Sequence, residues 1–207
     1  MKKFAPLFTV FAAVVALGLA SVNNVMASKE YETINPPQPT TSKDKIEVVE
    51  LFWYGCPHCF TLEPYVERWL KRKPDNVKFV RMPGMFRPSW EIHGRAYYTA
   101  EVLGVVDKVH KPMFEAIHEQ KRSLSDEASI MALFKDNGVS EKDFKRAFRS
   151  FAVETRLRRA KDMGNRYGAR GVPALIVNGK YRTGATQSGG NAKVFKVVNE
   201  LIEMESK

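Results

Sequence analysis

Cysteine and histidine are scarce in this sequence. Its 207 residues contain two cysteines, Cys56 and Cys59, and four histidines. A disulfide framework beyond this one pair is therefore excluded, and a zinc site would need two further ligands at suitable spacing. Three of the histidines, His93, His110 and His118, are scattered among charged residues, so we expect them on solvated helix faces. We predict no metal site and no structural disulfide.

Acidic residues are outnumbered by basic ones, which gives a formal net charge of +10. Such an excess can indicate a nucleic-acid or anionic membrane partner. The basic residues are mixed with acids, however. The densest basic group shares its predicted helix with Glu154 and Asp162, and its members are Arg156, Arg158, Arg159 and Lys161. We interpret this group as a solvated helix face and predict no nucleic-acid partner.

A long apolar segment occupies residues 4–20. Lys2 and Lys3 precede it, and residues 25–27 have the small-x-small pattern that signal peptidase cuts. We therefore expect residues 1–27 to be a cleaved signal peptide for export from the cytosol. A retained membrane anchor is the alternative, since the segment is near the lower length limit for a membrane span. Export matters because disulfides form and persist outside the cytosol.

The two cysteines follow an apolar run. Residues 46–54 are rich in β-branched and aromatic side chains and end at Gly55, which predicts a buried strand. Apolar residues recur at helical spacing after the cysteines, at Leu62, Val66, Trp69 and Leu70. The motif Cys56-Pro57-His58-Cys59 therefore stands where a strand turns into a helix.

This position favours a thiolate at Cys56. The first turn of a helix has unpaired backbone N–H groups and a partial positive charge, and Pro57 suits the first helical position because it lacks an N–H. The helix dipole supplies at most about 2 kcal/mol, so a strongly acidic Cys56 also needs amide hydrogen bonds and His58. Cys59 is expected to be the less accessible, resolving thiol. A stabilised thiolate makes the disulfide easier to reduce, so the predicted pair is an oxidant.

Glu50 is the anomalous residue in the predicted buried strand. Burying an ionised carboxylate is costly unless it is paired, so its pKa should rise or a basic group should meet it. Arg81, on a second predicted strand from Val77 to Met82, is a possible partner. We consider Glu50 a candidate proton-transfer group or a tuner of Cys59. The alternative is that Glu50 reaches solvent at a sheet edge.

Residues 89–163 contain several helix signals and no convincing strand. Three serines are candidate N-caps, namely Ser89, Ser125 and Ser140, the last with Asp143 in a capping box. Phe144, Phe148 and Phe151 form a stripe that we assign to the core. After Gly164 a strand, an Asn178-Gly179 turn and a final amphipathic helix are predicted.

The predicted order is strand, helix, strand, helical insertion, hairpin and helix. With Cys-x-x-Cys after the first core strand and Gly171-Val172-Pro173 opening the hairpin, it resembles the thioredoxin fold, and within it the DsbA family of bacterial periplasmic disulfide oxidases. The resemblance covers essentially the whole mature chain. It implies an α/β thioredoxin fold with an inserted α-helical domain, divided at residues 28–88, 89–163 and 164–207.

The resemblance also implies roles for individual residues. Cys56 would be the sulfur attacked by a substrate thiolate, Cys59 would complete the reduced pair, and His58 would tune the thiolate. A cis bond between Val172 and Pro173 would bring that loop against the disulfide, where Val172 backbone groups can pair with an extended substrate.

Glu50 would match the buried acid of the family. Here the expected lysine opposite it is an arginine, Arg81, which is harder to deprotonate. The family is itself a standard example of an acidic cysteine in an oxidising disulfide, so the inference about Cys56 agrees with the resemblance without being independent of it.

The resemblance implies a thiol:disulfide oxidoreductase that donates its disulfide to reduced, unfolded exported proteins. A DsbB-like quinone reductase of the inner membrane would reoxidise it, and no cofactor is expected. The chain is expected to be a monomer. It lacks the separate N-terminal dimerisation region expected of dedicated isomerases, which counts against an isomerase role. Three alternatives stay open: an isomerase or reductase of the same fold, a thiol metal carrier, and a chaperone-like peptide binder.

Overall fold

The structure is a computed structural model that describes residues 30–207. The predicted signal peptide, residues 1–27, lies outside the described residues. Within the described part, no helix is both long enough and apolar enough to cross a membrane.

A five-stranded mixed sheet forms the centre of the molecule, in the order β1-β5-β4-β2-β3. The strands are β1 Glu32–Thr33, β2 Ile46–Phe52, β3 Val77–Pro83, β4 Ala174–Val177 and β5 Tyr181–Thr183. Strand β2 pairs in parallel with β3 and antiparallel with β4. All seven residues of β2 are buried, as expected for a strand covered on both faces.

Among residues 30–207, eight α-helices surround this sheet. They are α1 Pro57–Leu70, α2 Glu91–Leu103, α3 Val106–His118, α4 Glu127–Asp136, α5 Glu141–Phe148, α6 Phe151–Arg166, α7 Ala185–Ser188 and α8 Asn191–Glu205. Helices α2 to α6 follow one another between β3 and β4, which is the helical insertion that the sequence predicts. The α/β class is confirmed, whereas the exact domain divisions stay a prediction.

Two apolar clusters cover the two faces of the sheet. Alternate residues of β2 point to opposite faces. Val49 and Leu51 pack in a cluster with the inserted helices, whereas Ile46 and Val48 pack in a second cluster with α1 and α8. The strand that leads to the cysteines is therefore packed on both faces, and this packing fixes the position at which α1 begins.

Three details of the insertion differ from the prediction. Ser89 does not cap α2, because Pro88–Trp90 first form a 3-10 turn and the helix begins at Glu91. Asp126, rather than Ser125, caps α4, and its side chain accepts a hydrogen bond from the N–H of Ser129. A carboxylate one residue further on thus takes the place of the predicted hydroxyl.

The third difference concerns Phe151, which is 78% exposed instead of lying in the core. The reason is a helix boundary inside the predicted stripe. Helix α5 ends at Phe148, and Ser150 caps a new helix by accepting a hydrogen bond from Val153 N–H. The helical spacing therefore does not continue from Phe148 to Phe151. Ser140 caps α5 as predicted.

Candidate active site

Cys56 is the residue immediately before helix α1. It has extended backbone angles, φ −89° and ψ 116°, and Pro57 is the first residue of the helix. The Cys56 N–H donates to the carbonyl of Trp53 at 2.9 Å, and the Cys56 carbonyl accepts from the N–H of Phe60 at 3.1 Å. The side chain of Cys56 makes no aligned cap hydrogen bond, and its sulfur lies at the positive end of the helix.

Both cysteines are free thiols in this structure. The pKa of Cys56 is lowered from 9.0 to about 6. The largest cause is the hydrogen bond from the Cys59 thiol, and the backbone N–H groups of Cys59 and His58 and the charge of His58 add to it, whereas partial burial opposes it. A hydrogen bond to the charged form favours that form. Cys56 is therefore largely a thiolate at neutral pH.

Cys59 has the opposite character. Its side chain is completely buried, and this burial, followed by its hydrogen bond to Cys56, raises its pKa far above the ordinary range. The thiol of Cys59 therefore stays protonated. The two sulfurs are chemically distinct, since one forms a stable thiolate and the other must take a proton as soon as it is released.

The loop that contains Pro173 lies against the Cys56 sulfur. The Val172–Pro173 peptide bond is cis, and Cys56 Sγ lies 3.4 Å from the carbonyl oxygen of Val172. The loop and His58 line a groove of about 390 Å³, together with Arg170, Thr186 and Gln187. Peptide groups bound in this groove would lie next to the reactive sulfur.

Glu50 does not reach a sheet edge, since it is 1% exposed. Burial raises its pKa to about 7; the charge of Arg81 opposes this shift, and the charge of Glu63 adds to it. Arg81 Nε lies 3.3 Å from Glu50 Oε2, so the basic partner expected from the sequence is present. Within residues 30–207 neither oxygen of Glu50 accepts an aligned hydrogen bond, so the contact is a close ion pair.

Glu63 is a site residue that the sequence analysis missed. It is buried on α1, and its carboxylate accepts a hydrogen bond from Arg81. Burial alone would raise its pKa, but the close contact with His110 and the hydrogen bond and charge of Arg81 lower it overall. The sequence did contain a signal, because Glu63 stands four residues after Cys59 and therefore on the same helix face as the buried thiol.

The histidines of the helical insertion were predicted on solvated faces, and this is wrong for His93 and His110. His93 Nε2 lies 2.9 Å from the carbonyl of Leu124, and His110 Nδ1 lies 2.9 Å from the hydroxyl of Tyr54. Burial lowers the pKa of both. Aromatic side chains that line this end of β2 cover the two rings, which the neighbouring charges in the sequence do not reveal.

His118 is half-buried, and it also contacts the active-site turn. Its Nε2 lies 2.7 Å from the carbonyl oxygen of Tyr54, and its ring stacks on that of Phe60 at 4.9 Å. Trp53, at the start of the same turn, stacks on Trp90 at 4.2 Å. The insertion thus holds the turn that presents Cys56.

Comparison with known proteins agrees with this geometry. The family described as a DSBA-like thioredoxin domain matches residues 47–201. The chain belongs to the DsbA family. It is 39% identical over 186 residues to the DsbA thiol:disulfide interchange protein of Pseudomonas aeruginosa, covering 90% of this chain and 88% of that protein. It is 37% identical over 196 residues to the DsbA of Pseudomonas syringae pv. tomato, covering 95% of this chain and 92% of that protein.

Solved DsbA structures show the same fold. The crystal structure of Pseudomonas aeruginosa DsbA matches with a TM-score of 0.83 and 39% identity, covering 86% of this chain and 93% of that one. The DsbA of Proteus mirabilis, with 28% identity and a TM-score of 0.69, was solved with a non-covalently bound peptide, PWATCDS. As a DsbA relative with a Cys-x-x-Cys pair, the chain is a thiol:disulfide oxidoreductase with a thioredoxin-like fold.

Proposed function

We propose that this chain is a periplasmic oxidase that donates its Cys56–Cys59 disulfide to exported proteins while they fold. The observation that carries the proposal is the difference between the two thiols. The reduced pair gains stability from the Cys56 thiolate, whose pKa is about 6. One unit of pKa lowering corresponds to about 1.4 kcal/mol, and about 30 mV of potential corresponds to the same energy. A stabilised reduced form makes the disulfide a stronger electron acceptor.

The first step is attack by a client thiolate on Cys56 Sγ. A new disulfide forms between the client and Cys56, the Cys56–Cys59 bond breaks, and its electron pair leaves with the Cys59 sulfur. Accessibility supports this direction of attack, because Cys59 is completely buried, whereas Cys56 is the more exposed of the two sulfurs. The Cys59 thiolate takes a proton, because its site does not support a charge.

The second step releases the client. The second client thiolate attacks the client sulfur of the mixed disulfide, and Cys56 leaves with the electron pair. Cys56 is a good leaving group because its thiolate is stabilised by the Cys59 thiol and by N–H groups at the start of α1. Two electrons have then passed from the client to the enzyme, and no metal or organic cofactor takes part.

Glu50 supplies the proton for Cys59 in this scheme. Its pKa of about 7 lets it hold a proton near neutral pH, and its charge acts on Cys59 directly. After the transfer, the Glu50 carboxylate is stabilised by the charge of Arg81 until solvent returns the proton. A proton donor is most effective when its pKa lies near the working pH.

Clients bind as extended peptides in the groove beside Pro173. The Val172 carbonyl, 3.4 Å from Cys56 Sγ, is placed to pair with client backbone next to the client cysteine. His58 and the Pro173 loop line the same groove. Recognition through the backbone suits an enzyme whose clients share a cysteine and little else.

Turnover needs reoxidation of the reduced pair. We assign this step to a DsbB-like quinone reductase of the inner membrane, which the enzyme meets in the periplasm after residues 1–27 are removed. The membership of the DsbA family supports this assignment.

The proposed function is tested with a reduced, unfolded client that has two cysteines. Catalytic amounts of the mature enzyme with a quinone-coupled reoxidant should form the client disulfide. Cys59→Ser has no disulfide to donate and should form no client disulfide. Given the oxidised client instead, its Cys56 thiolate should attack the client disulfide, release one client thiolate and accumulate a mixed disulfide, and Cys56→Ser should form neither product. Client oxidation that survives Cys56→Ser would contradict the assignment.

A further inference from the structure

His110 links the helical insertion to the buried acids of the active site. Its ring is buried on α3. Its Nδ1 lies 2.9 Å from the Tyr54 hydroxyl, and its Nε2 lies 3.5 Å from Glu63 Oε1. No aligned hydrogen bond to Nε2 is present among residues 30–207, so the Glu63 contact is longer than a normal hydrogen bond.

The two contacts fix which ring nitrogen carries the proton. The Glu63 carboxylate near Nε2 can only accept, and burial raises the pKa of Tyr54 well above its ordinary value, so the phenol keeps its proton and can donate a hydrogen bond to Nδ1. The proton of the neutral ring then belongs on Nε2, where it faces the Glu63 carboxylate. The opposite tautomer would direct a lone pair at a carboxylate. Tyr54 thus orients His110 as a neutral N–H donor to Glu63.

Arg81 contacts two carboxylates, those of Glu63 and Glu50. Its Nη2 hydrogen-bonds Glu63, whereas its Nε lies 3.3 Å from Glu50 without an aligned bond. Glu63 also lines a surface groove between α1 and α3, so it is the acid of the pair nearer to solvent. Whatever stabilises the Glu63 carboxylate keeps a negative charge beside Glu50 and keeps Arg81 bonded to Glu63.

We propose that His110 is a positioning residue that stabilises the Glu63 carboxylate and thereby keeps Glu50 protonated at neutral pH for transfer to Cys59. The last clause rests on the function proposed above. The effect of His110 on the protonation of Glu50 does not depend on that function, since the titration of Glu50 is measured without a client.

Charged and titratable groups from three elements face the His110 ring. Helix α1 presents Glu63 and Glu67, strand β3 presents Arg81, and Tyr54 and Tyr97 contact the ring as neutral groups. Burial and Arg81 disfavour a protonated imidazole, and the two glutamates favour it; the overall pKa of His110 is lowered. His110 therefore acts as a neutral donor over the pH range in which Glu50 titrates.

The direction of the effect follows from these contacts. Without the His110 N–H, which lies 3.5 Å from Glu63 Oε1, Glu63 takes up a proton at higher pH, since its interaction with His110 lowers its pKa. A protonated Glu63 no longer opposes the ionisation of Glu50, and Arg81 is freer to pair with Glu50. Both changes move the Glu50 titration to lower pH.

The test is a carbon NMR titration of the Glu50 carboxyl in the reduced enzyme, with the signal assigned by its loss in Glu50→Gln. In His110→Phe, which fits among the surrounding aromatic rings, the midpoint should shift to lower pH. In His110→Gln, which keeps an N–H donor, it should stay near the wild-type midpoint. The pH profile of client oxidation should move in the same direction as the Glu50 midpoint.

An unchanged Glu50 midpoint in His110→Phe, or equal shifts in the Phe and Gln variants, would overturn the inference. A second measurement covers the case in which His110→Phe does not fold. Nitrogen NMR of the wild-type ring should show the proton on Nε2, and a proton on Nδ1 would overturn the inference too. If the Glu50 midpoint moves while the activity profile does not, the proton-donor role of Glu50 fails and the role of His110 stands.

Discussion

Arg81 forms a close ion pair with Glu50 that lacks the alignment of a normal hydrogen bond. The distance from Arg81 Nε to Glu50 Oε2 is 3.3 Å, yet neither oxygen of Glu50 has an aligned donor within residues 30–207. The charge of Arg81 therefore offsets only part of the cost of burying the Glu50 carboxylate, and its pKa stays raised at about 7. An acid that is costly to ionise inside the protein makes the stability of the fold depend on pH.

Glu50→Gln is expected to remove part of this pH dependence. The pKa of Glu50 rises from 4.5 to about 7 on folding, so its favourable contribution is complete below about pH 4.5 and is lost as the pH rises through 7. The wild type should thereby lose about 3 kcal/mol of stability that the variant keeps. Denaturant unfolding at pH 4.5, 6 and 8 measures this difference.

Glu203→Gln, at an exposed position of α8, is the matched control and should retain the wild-type pH dependence. Parallel stability curves for wild type and Glu50→Gln would show that Glu50 ionises normally in the folded protein.

The reduced enzyme should become more stable than the oxidised enzyme as the pH rises. The pKa of Cys56 falls from 9.0 to about 6 on folding, so its contribution is complete above pH 9 and is lost as the pH falls through 6. Cys59 stays protonated in the folded protein, so it opposes this trend only near pH 9, where the unfolded thiol ionises, and adds little slope between pH 5 and 8. Unfolding midpoints of both redox forms at pH 5, 7 and 8.5 test this; a gap that does not widen with pH would speak against a stabilised thiolate.

Gly84→Ala should impair client oxidation by displacing the Val172 loop. A Cβ atom at Gly84 would lie 2.7 Å from Val172 Cγ1, closer than carbon atoms pack, and a β-branched side chain has little freedom to move away. Oxidation of peptide clients should slow, whereas oxidation of a small dithiol should change less because it does not need the groove.

Gly171→Ala is the control for this substitution. It lies next to the same loop, but a Cβ there meets nothing within 4 Å. Equal effects of Gly84→Ala and Gly171→Ala on peptide oxidation would mean that the position of Val172 does not matter.

The two phenylalanines on either side of the α5–α6 boundary should differ in their contributions to stability. Phe148 is buried in the core of the insertion, so Phe148→Ala should cost about 3 kcal/mol or more. Phe151 is exposed, so Phe151→Ala should change the free energy of unfolding by about 0.5 kcal/mol or less. Similar losses in both variants would place Phe151 in an apolar contact after all.

The sequence predicts this site best where the chemistry is local. The turn from strand to helix at Cys56, with Pro57 at the first helical position, follows from hydrophobic pattern and proline geometry alone. The hairpin at Asn178-Gly179 is equally local, and both residues have the positive φ angles that this turn requires.

The parts that the sequence does not predict depend on contacts between distant elements. His110 follows Asp107 and Lys108 in the sequence, which suggests a solvated face, but in the fold it packs against Tyr54 and Glu63. Tertiary packing decided its burial. Tertiary packing also decides the pairing of Glu63, because its partner Arg81 lies on a different element, strand β3.

The central claim is that the Cys56–Cys59 disulfide is an oxidant, and its redox equilibrium with glutathione tests it most directly. Mature enzyme is equilibrated at neutral pH with glutathione buffers of known ratio, and the free thiols are trapped and counted. We expect a potential well above the value of about −270 mV that is typical of thioredoxin. A potential at or below that value would contradict the oxidase assignment and would instead favour a reductase.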